Sequence, residues 1–335
     1  MKTLLLFLLS TTLGSASPHS AFAGTVSLKY ARKNHTVNVC WMTRPTLAEY
    51  VKNDSSLFSS LDGYMRTREF PQSKKLIQKT ITDNYKLSTV GIQFEGWQEC
   101  PTQPDLLANM DLVAFVTVGG IQNSFTSIGT LDPLATKAYA DLFSDRLAKL
   151  STRHQLPSFV LIAACDSCRT TILSVDAQLQ FTALHEFGHA AGLLHEDDRI
   201  DPATGTDVSA REVEGDKIHG NLMTSKYDRQ SIMSYHYLNN IMERIGEWAM
   251  LTPNEYWVSS LPPSPSRTGS MGAFLMPFDQ DSDWEDGSVI ESVGKNRFHI
   301  LPKLSAGDEH ALQCLYTLSA AERALTCDYT YDPLE

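Results

Sequence analysis

The chain has 335 residues, with 28 Lys and Arg against 39 Asp and Glu and a formal charge of −11. It carries no basic run or stripe, which argues against a nucleic-acid or anionic-membrane surface, and its 42% hydrophobic residues are ample for one large domain or two lobes. Six cysteines fit an oxidising compartment.

Residues 1–23 hold one lysine, the apolar run 4–9 and the ending Ala21-Phe22-Ala23, the pattern of a signal peptide with an A-x-A cleavage site. The apolar run is too short to span a bilayer. The chain is therefore expected to be exported, secreted or periplasmic, with no integral membrane segment after signal removal. Val37, Val39 and Trp41 alternate with Asn38 and Cys40, a strand signal over 36–42. Ile77, Ile81 and Tyr85 recur at helical spacing behind Ser73, which predicts an amphipathic helix over 73–86 capped by that serine. A second strand is expected over 90–95, ending at Gly96-Trp97. The continuous apolar run Leu112–Val118 suits a strand buried on both faces. Residues 124–130 read either as a polar loop or as an edge strand able to take an extended peptide by main-chain pairing. Asp132-Pro133 opens a predicted helix running to about Leu150, and 159–164 is another buried strand.

The next helix, from about Ala177, carries His185-Glu186-Phe187-Gly188-His189-Ala190-Ala191-Gly192-Leu193-Leu194-His195-Glu196. Histidines four apart on a helix share a face, one turn above the other, and can bind one ion together. Glu186 lies beside the first of them and can reach water held at that ion, as a general base does. Gly192 accepts the left-handed backbone that ends a helix, so the chain can turn and bring His195 back as third ligand. Three protein ligands and an open fourth position describe a catalytic zinc site. At this chain's frequencies of 10 His, 19 Gly and 39 acidic residues in 335, the full pattern has a chance of about 10⁻⁷ per position.

Residues 201–226 are polar and read as a surface loop, with His219 a solvated histidine. Tyr227-Asp228-Arg229-Gln230-Ser231-Ile232-Met233-Ser234-Tyr235 follows. Residues 261–272 read as a Pro/Ser/Gly loop. The acidic stretch 279–286 is a possible but weakly supported calcium site, because its spacing departs from the twelve-residue calcium loop. Ser305-Ala306-Gly307-Asp308 has the form of a capping box for a helix to about Tyr316. Six cysteines allow fifteen pairings and sequence alone does not choose. Cys40–Cys100 and Cys314–Cys327 are the pairs expected, while Cys165 and Cys168 form a small disulfide loop or pair with distant partners.

The H-E-x-x-H-x-x-G-x-x-H pattern resembles that of metzincin metalloproteases. The continuation His195-Glu196-Asp197-Asp198-Arg199-Ile200-Asp201 and the Y-D-x-x-S-I-M-x-Y stretch 227–235 are similar to astacins, of a bacterial type. The likeness is strongest over 177–237. It departs at Leu193, where an aromatic is usual, and at Ser234, where a histidine is. The second departure is serralysin-like, yet no G-G-x-G-x-D repeat occurs. The resemblance implies one zinc ion on His185, His189 and His195, with Met233 packed beneath it. It also implies Tyr235 as a mobile ligand that helps stabilise the oxyanion. Glu196 is not a ligand; its astacin counterpart contacts the mature amino terminus. No F-x-G-D propeptide motif occurs, so latency by that route is not expected.

The fold expected is α+β: a metzincin-type, two-lobed zinc protease domain over 24–335. The upper lobe, about 30–195, holds a mixed, mostly parallel twisted sheet with two long helices. The lower lobe, about 196–335, is irregular with a C-terminal helix. The function expected is that of a secreted zinc metalloendopeptidase acting on protein or peptide substrates. The alternatives are a catalytically silent metzincin fold that binds peptides or a partner, and a hydrolase of some other bond. The sequence does not speak to oligomeric state.

Overall fold

A computed structural model describes side chains and backbone over residues 31–119, 124, 126, 143–147, 156–164, 174–195, 231–233, 302–319, 321–322 and 327. It describes backbone alone at 25–26, 125, 221–222, 255–259, 274–277, 289–293 and 296–301. In chain order the elements begin with β1 (Thr25–Val26), β2 (Thr36–Trp41), α1 (Arg44–Tyr50), α2 (Ser56–Met65), α3 (Phe70–Asn84) and α4 (Leu87–Val90). They continue with β3 (Gln93–Glu99), α5 (Pro104–Leu107), β4 (Leu112–Val118), β5 (Phe125–Thr126), β6 (Ser158–Ala164) and α6 (Val175–Ala190). The remainder are β7 (Leu193–Leu194), β8 (Asn221–Leu222), β9 (Glu255–Ser259), β10 (Phe274–Pro277), β11 (Val289–Val293), β12 (Asn296–Leu301) and α7 (Ala306–Tyr316).

This is a mixed α/β arrangement around an open, mostly parallel sheet. Its strand order is β3-β2-β4-β6-β5, parallel throughout except for β5, which runs antiparallel to β6 at the edge. β4 and β6 are the apolar runs that the sequence marks out. β6 is buried along its whole length and β4 along all but its last residue, as strands covered on both faces must be. Ile77, Ile81 and Tyr85 face the core as their spacing predicts. The Tyr85 hydroxyl donates to the Leu184 carbonyl at 2.9 Å and so ties the end of α3 to α6. The disulfides Cys40–Cys100 and Cys314–Cys327 are both present, whereas Cys165 and Cys168 lie outside the described residues.

Several local expectations are corrected. α3 begins three residues early, with Pro71 in its first turn, and Ser73 is a buried helical residue bonded to the Tyr64 hydroxyl at 2.6 Å, not a cap. Val90 closes a short helix, and β3 starts at Gln93 and runs through Gly96-Trp97. Gly96 (φ 89°) and Trp97 (φ 54°) form a bulge, so Cys40 pairs with Gln98. The helix expected from Asp132 to about Leu150 is interrupted at Phe143, which forms an antiparallel bridge with Val51. The loop over 201–226 contains β8, which pairs with β1; β1 also pairs with β7. The irregular lower region contains a four-stranded sheet, β10-β9-β12-β11. Helices α1 and α2 are additions: α1 has Pro45 in its first turn, and the Ser55 hydroxyl caps α2 by accepting from Phe58 N. Among the described residues no helix is long and apolar enough to cross a membrane.

Candidate metal centre

The site is built on α6. The Ser174 hydroxyl caps it, accepting from Ala177 N at 3.2 Å. Phe187 sets its rotation by packing edge-on to Phe94 at 4.8 Å and stacking on Trp97 at 5.6 Å. Residues two positions away on either side point the opposite way. His185 and His189 therefore share the other face, with ring centroids 4.8 Å apart. The helix ends where Gly192 N donates to His189 O at 2.8 Å, and Gly192 takes the left-handed conformation, φ 98°. The chain turns there, and His195 returns beside the other two.

The three Nε2 atoms converge. That of His195 lies 3.1 Å from His185 Nε2 and 2.9 Å from His189 Nε2. The outer ring nitrogens of the helical pair meet carbonyls: His185 Nδ1 is 2.7 Å from Ile232 O, and His189 Nδ1 is 2.8 Å from Leu193 O. A carbonyl only accepts, so each Nδ1 carries the proton and each Nε2 turns its lone pair inward. His195 Nε2 can donate to one of these lone pairs but not to both. Burial, first, and the neighbouring imidazoles hold His189 well below the usual histidine range and bring His195 down to about 3, so both stay neutral. Neutral imidazoles with facing lone pairs form a donor set that fits a divalent cation of the zinc type. Ligands sharing one tetrahedral zinc sit about 3.3 Å apart.

Glu186, between the ligands in sequence, is 5% exposed and accepts a 2.5 Å hydrogen bond from Thr126 on the edge strand β5. Burial pushes its carboxyl up to about 8, against the opposing effect of that bond. Beneath the helix lies Met233, 1% exposed. A Cβ on Gly188 would meet its sulfur at 2.6 Å, so the glycine lets the thioether pack directly against the helix backbone, and a larger residue would push Met233 aside. The turn carrying Met233 is in turn held by Asp308 of α7. One oxygen of that carboxylate accepts from Ser231 Oγ at 2.5 Å, and the other from Ile232 N at 2.9 Å and Ser305 N at 3.0 Å. Ile232 is the residue whose carbonyl orients His185.

The structure thus brings His185, His189 and His195 together, with Glu186, Gly192 and Met233 placed around them. Tyr235, Glu196, His219 and the acidic stretch 279–286 lie outside the described residues. Sequence reasoning misses Thr126 and Gly188 as site residues. It reads Asp308 only as a cap, although the capping box itself is present. Edge-strand placement is the signal that points toward Thr126; nothing local marks Gly188. Among the described residues a second group, His310, Cys314 and Cys327, has ligand-type atoms within 4.8 Å. Its two sulfurs are joined to each other as a disulfide, which removes their thiolates.

No protein-family model matches the chain, and no curated protein matches it. Among solved structures the chain is similar to that of myroilysin, at a TM-score of 0.35 and 13% identity, over 88% of this chain and 100% of that one. A likeness at that level assigns neither fold family nor activity. The site stands on its own geometry.

Proposed function

We propose that the chain is an exported zinc metalloendopeptidase of the astacin-like metzincin type, with 24–335 as a single catalytic domain of two lobes. The observation that carries this reading is the convergence of three imidazole Nε2 atoms beside the buried carboxylate of the helix that bears two of them. His185, His189 and His195 would hold the zinc, which when bound would supply Lewis-acid polarisation of water and the scissile carbonyl. Glu186 takes the proton from the attacking water and delivers it to the leaving amine. A carboxyl raised by burial is suited to both halves of that transfer near neutral pH. Thr126 orients Glu186 through one oxygen and leaves the other for the reacting water. Tyr235 is the proposed donor to the oxyanion, a role whose loss costs about 10²–10³ in rate. β5 is the last strand of the sheet, so its outer edge is a place for an extended peptide to pair. The disulfides fit an oxidising compartment outside the cytoplasm.

The test is cleavage of a quenched peptide library by purified residues 24–335 and by Glu186→Ala, with zinc measured in both. Zinc in both and cleavage by the parent alone is the expected result. Zinc in both with cleavage by neither supports a binding protein instead. No zinc in either overturns the reading.

A further inference from the structure

The third ligand hangs on a corner of chain that the motif does not itself hold. At the end of α6, Ala191 N satisfies Phe187 O at 2.9 Å and Gly192 N satisfies His189 O at 2.8 Å. The next two carbonyls, of Ala190 and Ala191, project beyond the helix and need donors from elsewhere. Arg32 Nε supplies one, at 2.7 Å to Ala190 O. The Tyr316 hydroxyl supplies the other, at 2.6 Å to Ala191 O. The two donors are joined, because Arg32 N donates to the same Tyr316 oxygen at 3.1 Å. A Cβ on Gly192 would lie 3.5 Å from Leu315 and 3.7 Å from Ala31, the chain neighbours of the two donors, so the corner is gripped from both sides.

Arg32 is an expensive residue to place there. It is 8% exposed, and its Nη1 donates to a main-chain carbonyl, Asp111 O, at 3.4 Å. Its Nη2 has no partner among the described residues. Burial brings the guanidinium down to about 10, still protonated at neutral pH. A full cation therefore sits at the C-terminal end of the metal-bearing helix, the end whose dipole favours positive charge. A residue needed only to fill space could be apolar at far lower desolvation cost.

We propose that Arg32 and Tyr316 are positioning residues for the third metal ligand, clamping the Ala190–Gly192 corner so that His195 is presented with its geometry already formed. The proposal rests on the metal-centre reading for its affinity arm, and on the metal-free chain for its second arm. Tyr316→Phe removes one donor and keeps the ring. Arg32→Met keeps the volume and removes the donors, and Arg32→Lys restores the charge without the planar fork. Tyr64→Phe, which deletes a buried hydroxyl bond to Ser73 far from the corner, is the stability control.

Cobalt(II) affinity and release rate are measured on all five chains by the visible spectrum, and amide hydrogen exchange of residues 191–195 is followed without metal. Tyr316→Phe and Arg32→Met are expected to release cobalt about tenfold faster, the low end of what outer-shell partners of metal ligands contribute. Arg32→Lys should fall between Arg32→Met and the parent, and Tyr64→Phe should match the parent even where its Tm drops. Exchange at 191–195 should quicken at least tenfold in Tyr316→Phe and Arg32→Met alone. Parent-like exchange in both of those variants overturns the clamp, as does equal loss of affinity in Tyr64→Phe. A parent that binds no cobalt defeats the metal-centre reading, and the exchange arm then decides the clamp by itself.

Discussion

Replacing Asp308 tests how far the metal site depends on the C-terminal helix. Its carboxylate is 1% exposed and receives three donors from two places in the chain: Ser231 Oγ, Ile232 N and Ser305 N. Asp308→Ala leaves these three groups buried with no acceptor, at roughly 1–3 kcal/mol each when a partner is removed. Part of that cost is relieved if Ser231, itself fully buried, turns its hydroxyl elsewhere, so about 4 kcal/mol is expected. Asp308→Asn keeps the shape and one acceptor oxygen, which can serve the two backbone N–H groups, while its amide donates to Ser231 Oγ. It loses the charge-assisted share and the acceptor of the Ser231 hydroxyl, which already accepts from Met233 N, about 2–3 kcal/mol together. Urea denaturation of the metal-free chain measures both values. Because Ile232 O orients His185, Asp308→Ala should also weaken zinc by about 10–100-fold, read by competition with a chromophoric chelator. Equal destabilisation by Ala and Asn, or parent-like zinc affinity in Asp308→Ala, would refute the chain of contacts from α7 to His185.

Two further outcomes follow from the same geometry. In the metal-free chain Glu186 titrates from 4.5 unfolded to about 8 folded, so the folded state binds its proton more tightly and stability falls as pH rises through that window. His195, at 6.5 unfolded and about 3 folded, acts in the opposite sense, its contribution being lost as pH falls below 6.5, and His189 shifts the same way. Stability should therefore peak near pH 6.5, and Glu186→Gln should abolish the decline on the alkaline side, as read from urea midpoints with a chelator present. Thr126→Val removes the hydroxyl that holds Glu186. Its kcat should drop about tenfold with KM little changed, and Thr126→Ser should restore it, the pattern expected of a group that positions a general base.

The parts of this molecule legible in sequence are those whose cause is local. A run of apolar residues is enough to define β4 and β6, helical spacing is enough for the buried face of α3, and Ser305 with Asp308 is enough for a helix start. The three histidines belong to the same class, because a helix turn and a glycine corner fix their convergence within eleven residues. What escapes is the set of side-chain hydrogen bonds made across the chain. Thr126 reaches Glu186 over 60 positions, Ser231 reaches Asp308 over 77, and Arg32 reaches Ala190 over 158. Nothing in the neighbourhood of Asp308 or Arg32 distinguishes it from an ordinary cap or arginine, and Thr126 is marked only by its place on a candidate edge strand. The bulge at Gly96-Trp97 escapes for a different reason, since Gly-Trp reads equally well as the end of a strand.

The division matters for how the site works. A metal-binding motif on an isolated helix would supply two ligands and a flexible tail, and ordering that tail would cost roughly 1–2 kcal/mol per residue at the moment of binding. Here that cost would be met during folding, because each histidine is anchored by a neighbour that is itself buried. His185 answers to Ile232 and through it to Asp308. His189 answers to Leu193, and the corner that carries His195 answers to Arg32 and Tyr316. Asp308 and Tyr316 stand at opposite ends of one eleven-residue helix, α7, so one rigid element governs both the first ligand and the third. The motif supplies the donor atoms, the glycine corner and the Leu193 carbonyl, and residues outside it, Ile232, Asp308, Arg32 and Tyr316, hold the first histidine and the corner in place.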